Sequence, residues 1–207
     1  HMALLTGMDV ANASMYEGAS AFVEAVLMAE RLTKKRSKVV VSRTIHPEYL
    51  VTLKTYLANL GLEIVEVPAG PDGVTSAAAL AAAVDETTFA VAVQSPNVFG
   101  LVEDWSVAAE AAHAQGALAV GVVNEMFSLA LLKPPGAAGI DIACGEAASF
   151  GVPASFGGPL VGFLACRDAF KRQIPGRLAG RLDTPDGPVF ALTLSTREQH
   201  IRREKAT

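Results

Sequence analysis

From Ser37 to Glu146 short β-branched runs take turns with longer helix-forming stretches: KVVVS, PEYLVTLKTYLANLG, EIVEVP, SAAALAAAVDE, FAVAVQSP, SVAAEAAHAQG, ALAVGVV and IDIACGE. A strand–helix alternation of this kind predicts an α/β fold, with a largely parallel sheet covered by helices on both faces. The strand segments are nearly continuous apolar runs, as strands buried on both faces are. Upstream, an alanine-rich stretch from Glu17 to Lys34 reads as a long helix, with Asn12 and Ser14 as candidate N-caps. Downstream, GPLVGFLACR reads as a strand entered through Gly157-Gly158-Pro159 with no helix before it, which predicts one antiparallel strand. No internal repeat or low-complexity linker divides the chain, so a single domain is expected.

Composition narrows the class. The chain has 207 residues, 51% apolar and 18% charged, and no uncharged apolar run of about 18 residues, the length a membrane span needs. A net charge of −4 repels a polyanion, so neither membrane nor nucleic acid is an expected partner. Cys144 and Cys166 lie in apolar runs without a Cys/His cluster, and read as reduced core residues of a cytoplasmic protein that holds no metal. His1-Met2 reads as a tag scar before a truncated start, and no signal peptide follows it.

Four segments are candidates for chemistry. TGMDVANASMYEGASA is a loop running into a helix N-terminus, where free N–H groups bind phosphate. An ordinary capped helix is the favoured explanation, and Glu17 places a carboxylate where an incoming phosphate would be repelled. His46 follows a strand at the carboxyl edge of the sheet, where ligands of open α/β sheets bind. It suits stacking on a cofactor ring, proton transfer, or a plain loop role. Gln94-Ser95-Pro96-Asn97 and Val123-Asn124-Glu125 end two further strands and form a polar rim at the same edge. Finally, Gly145 to Pro159 is a Gly/Pro-rich connection that either allows close backbone approach to a partner or only supports tight turns.

Taken in order, LLTGMDVANASMYEGA, SPNVFGLVED, LKPPGAAGIDI, GVPASFGGPLVGF, IPGR and TREQHIRREKAT resemble the P-protein of the glycine cleavage system, and its alpha subunit more closely than its beta subunit. The resemblance spans nearly the whole chain. It implies the large domain of a fold-type I pyridoxal-phosphate enzyme, with a mostly parallel seven-stranded sheet, over residues 3–196. Residues 197–207 would then begin the connection to a smaller C-terminal domain. The family reaction condenses glycine with pyridoxal phosphate, releases carbon dioxide and passes the aminomethyl group to the lipoylated H-protein.

Against the beta subunit's pattern, the Schiff-base lysine is replaced here by Ala148 or Ser149. The phosphate-cup serine is replaced by Glu17, ahead of Gly18, and Asn124 stands where an aspartate would face the pyridinium nitrogen. These departures imply a subunit with no catalytic residue and no bound cofactor. Glu17, Gly18, His46, Asn124 and Ser149 would line a vestigial pocket, while the beta subunit holds the cofactor. The expected partners are that beta subunit and the H-protein, and the isolated chain could also associate with itself. A stand-alone pyridoxal-phosphate enzyme and a purely structural subunit are the alternatives.

Overall fold

A computed structural model describes residues 1–193; the expectations for residues 197–207 lie outside the described residues. A short helix α1 (Met2–Thr6) and a two-residue strand β1 (Val10–Ala11) precede the long helix α2 (Gly18–Thr33). The strand–helix alternation then runs β2 (Lys38–Ser42), α3 (Pro47–Leu57), β3 (Glu63–Val67), α4 (Ala77–Ala83), β4 (Thr88–Gln94), α5 (Trp105–Ala114) and β5 (Leu118–Val123). Strands β6 (Ile142–Glu146) and β7 (Gly162–Cys166) complete a seven-stranded sheet of order β1-β7-β6-β5-β4-β2-β3. Strands β2 to β6 are parallel, and β7 runs antiparallel to β6 and to β1. The alternation foretells the parallel strands β2 to β6 and the helix-free link foretells the antiparallel β7, whereas α1, β1 and the strand order are not in the local pattern.

Helix starts follow from local chemistry. Pro47 supplies the fixed φ of a first helical turn and the His46 ring accepts the Glu48 N–H; Ser76 caps α4 and Asp104 caps α5. Helix α2 differs from the sequence expectation. Glu17 itself is the N-cap, its carboxylate accepting the Ser20 N–H at 2.7 Å. Asn12 instead bonds the Leu164 N–H and the Pro175 carbonyl, pinning the N-terminal loop to β7.

The sheet divides two apolar layers. On one face α2 and α3 bury Phe22, Met28, Leu53 and Leu57 against Val39, Val41, Ile142 and Leu164. On the other, α4 and α5 bury Leu80 and Trp105 against Val40, Val91, Ile140 and Phe163. Every residue of β2 and β4 is buried, which is why their sequences are apolar without alternation. Each fully buried large side chain contributes about 1.5–3 kcal/mol relative to exposure, so both layers hold the carboxyl edge of the sheet firmly. Beyond β7, strands β8 (Leu178–Thr184) and β9 (Gly187–Thr193) pair as a separate hairpin that the sequence reading does not foresee. No helix among the described residues is long and apolar enough to cross a membrane.

Candidate functional site

Strand β2 pairs with β3 on one side and β4 on the other, so the chain order reverses there, and the carboxyl ends of β2 and β4 flank the switch point where open α/β sheets bind ligands. His46 follows β2 and Gln94 ends β4. The His46 N–H donates to Gln94 Oε1 at 2.8 Å, and Gln94 Nε2 donates to the Pro96 carbonyl at 3.0 Å. The His46 ring accepts the Glu48 N–H through Nδ1, and its centroid lies 5.3 Å from that of Tyr49.

Tyr49 occupies the middle of this edge. It projects from the first turn of α3, is buried, and donates its hydroxyl to Asn124 Oδ1 at 2.8 Å. Its ring stacks toward Phe22 of α2, and its hydroxyl lies so close to Gly18 that a Cβ there would collide with it. Gly18 is therefore required by the tyrosine. Burial raises the Tyr49 hydroxyl pKa well above the usual phenol range, and the nearby carboxylates of Glu146 and then Glu17 push the same way, with Cys144 between them in weight.

Glu146, the last residue of β6, gathers the rest of the site. Its Oε2 accepts the Gly18 N–H at 3.0 Å, at the head of α2. Its Oε1 accepts three more amides: Ala147 at 3.2 Å, Ala148 at 3.0 Å and Val161 at 2.9 Å. One carboxylate thus ties a helix start, the turn after β6 and the lead-in to β7. Charge-assisted bonds of this kind are the stronger ones. Gly145, beside it, has φ 149°, and a side chain there would collide with the Val123 carbonyl of β5, so the two strands approach as only a glycine permits.

The structure thus brings Glu17, Gly18 and Asn124 together around Tyr49 and Glu146, with His46 on the tyrosine's outer side. Ala148 joins only through its backbone, and Ser149 is exposed in the short turn Ala148–Phe150. Sequence reasoning missed Tyr49, which reads as an ordinary core aromatic of an amphipathic helix, and assigned Glu146 no role inside the Gly/Pro-rich connection. The glutamate offered one signal, a lone carboxylate closing an otherwise apolar strand.

A second polar cluster lies behind the rim. The Glu103 carboxylate is buried and accepts bonds from Thr44 Oγ1, the Thr75 amide and Asn97 Nδ2, while Ser95 exchanges bonds with the Glu103 backbone. Neutral donors surround the charge, which satisfies it and fixes the loops after β2 and β4. Glu125 lies outside both clusters, capping the short turn that follows β5. Among the described residues, no group of three or more His, Cys, Asp or Glu side chains is placed to hold a metal ion.

The family model of the glycine cleavage system P-protein matches residues 2–207. The chain is 51% identical to the Desulforamulus reducens protein named "Probable glycine dehydrogenase (decarboxylating) subunit 1", covering 99% of this chain and 45% of that protein. The Anaeromyxobacter dehalogenans protein of the same name is 56% identical over 99% of this chain and 46% of its own length. The chain therefore spans about half the length of these curated relatives. A crystal structure of glycine decarboxylase (P-protein) of the glycine cleavage system, in inhibitor-bound form, superposes with a TM-score of 0.86 at 48% identity, over 99% of this chain and 46% of that one. The fold is that of the fold-type I pyridoxal-phosphate enzymes. With a match along nearly its whole length and close structural agreement, this chain belongs to the glycine cleavage system P-protein family.

Proposed function

We propose that this chain is part of the non-catalytic subunit of a heteromeric glycine decarboxylase, acting in the cytoplasm. In that assembly the partner subunit holds pyridoxal phosphate, glycine loses carbon dioxide, and the lipoylated H-protein accepts the aminomethyl group. The subunit 1 name of its relatives supports the partnership. What carries the reading is the turn after β6, where Ala148 and Ser149 provide no amine to form an imine with a cofactor aldehyde.

The other side chains at the edge agree with it. Pyridoxal phosphate does not fit them: Gly18 is pressed by Tyr49, its N–H is taken by Glu146, and Asn124 has no charge to offer a pyridinium nitrogen. The well-packed sheet edge then serves as scaffold and as a face toward the catalytic half.

The test is to mix the chain with a catalytic glycine decarboxylase subunit, follow co-elution by size exclusion, and measure carbon dioxide release from carboxyl-labelled glycine with the H-protein present. Co-elution and higher release from the mixture are expected, with none from the chain alone. Decarboxylation by the chain alone with added pyridoxal phosphate, or separate elution, overturns the proposal. Co-elution without a change in release assigns a purely structural role.

A further inference from the structure

We infer that Tyr49 and Glu146 are built-in occupants of the cofactor pocket, so that the pocket is closed by filling and not merely inactive for want of a lysine. Three positions that the family resemblance places around a cofactor are each already engaged. Asn124, at the ring-nitrogen position, accepts the Tyr49 hydroxyl at 2.8 Å. Gly18, at the phosphate cup, donates its N–H to Glu146 at 3.0 Å, and Glu17 holds the Ser20 amide of the same turn at 2.7 Å. Ala148, at the lysine turn, donates its N–H to the same Glu146 at 3.0 Å. An aromatic ring carrying one donor and a carboxylate bound by convergent amides together reproduce the two chemical halves of a phosphorylated pyridine.

The two side chains come from α3 and β6 and meet at Gly18. That glycine leaves no room for a third group, because even one added carbon there would overlap Tyr49. The inference rests on the family placement of these positions and not on the proposed partnership, so subunit mixing can fail while this stands.

A missing lysine and a filled pocket predict different behaviour toward pyridoxine 5′-phosphate, an alcohol that cannot form an imine with any amine. A pocket lacking only its lysine would bind it. The experiment compares the 207-residue chain with its Glu146→Ala and Tyr49→Ala/Glu146→Ala variants by titration calorimetry and thermal unfolding, using pyridoxine 5′-phosphate and inorganic phosphate as probes. The unaltered chain is expected to show no saturable binding of either. Glu146→Ala should gain saturable binding of inorganic phosphate, and the double variant Tyr49→Ala/Glu146→Ala should gain saturable binding of pyridoxine 5′-phosphate, each at least tenfold tighter than the unaltered chain.

Saturable pyridoxine 5′-phosphate binding by the unaltered chain, abolished by Asn124→Ala, overturns the inference. So do folded variants that gain no binding. If the alanine variants do not fold, Tyr49→Phe decides: it keeps the ring but loses the bond to Asn124, so it should unfold at a lower temperature and still ignore the probe. A Tyr49→Phe protein as stable as the parent would show that the hydroxyl occupies nothing of consequence.

Discussion

The Tyr49 hydroxyl donates to Asn124 Oδ1 at 2.8 Å across 75 residues of sequence, joining the helix after β2 to the end of β5. The bond lies in a buried space shared with the start of α2, so its loss is felt by three elements at once.

Tyr49→Phe should therefore destabilise the chain by about 0.5–1.5 kcal/mol, the net worth of an ordinary hydrogen bond, read as a lower urea midpoint at an unchanged slope. The pH dependence has a definite sign. Because the folded-state pKa is raised above the ordinary phenol value of 10.0, the unfolded chain binds fewer protons at high pH than the folded one. The phenol's contribution is complete below pH 10 and falls as pH rises toward the folded-state value. The urea midpoint of the parent should then drop more steeply above pH 10 than that of Tyr49→Phe. Parallel decline of the two proteins would contradict the burial argument.

Glu146→Ala removes the acceptor shared by four backbone amides. A loss of roughly 1.5–3 kcal/mol is expected, the range for hydrogen bonds to a charged group, with Glu146→Gln losing less because it retains one acceptor oxygen. Hydrogen exchange should localise the effect. The amides of Gly18, Ala148 and Val161 should lose protection together, since one side chain serves them all, whereas β2 and β4 should keep theirs.

Glu17→Ala deletes the N-cap of α2 and should cost about 1 kcal/mol, within the usual range for loss of a cap. Because Glu146 still holds the Gly18 amide, this substitution alone should not create a phosphate site. Strong phosphate binding by Glu17→Ala would mean that Glu17, and not Glu146, is what keeps anions out.

Cys144 and Cys166 are both free and buried. Burial raises the Cys144 thiol far above its usual value and pushes that of Cys166 up to about 12, with Asp9 and Asp168 adding to the second. Since the thiolate is the reactive form, neither should react with a disulfide reagent at pH 8 until the chain is unfolded. Two fast thiols in the native protein would contradict the placement of β6 and β7.

Much of the fold was legible in local pattern. Continuous apolar runs marked β2, β4 and β5 because strands buried on both faces have no solvent side to advertise, and the absence of a helix before β7 told its direction. The cap of α2 was misplaced onto Asn12 or Ser14 because capping propensity ranks residue types, whereas here Asn12 is used 152 residues away on Leu164. Hairpin β8–β9 went unseen, since LAGRLDT mixes charged and apolar residues without a clear period and GPVFALT opens on Gly-Pro, which reads as a turn.

The sequence by itself determined the α/β class and the largely parallel run of strands, because both are written in residue types at adjacent positions. Only the tertiary structure decided which side chains meet at the carboxyl edge of the sheet. Tyr49 and Glu146 lie nearly a hundred residues apart and look like a core aromatic and a strand-end acid. They meet at Gly18 solely because the sheet order sets α3, β6 and the start of α2 around one edge. Contacts of that separation depend on how strands are ordered, and no local periodicity encodes that order.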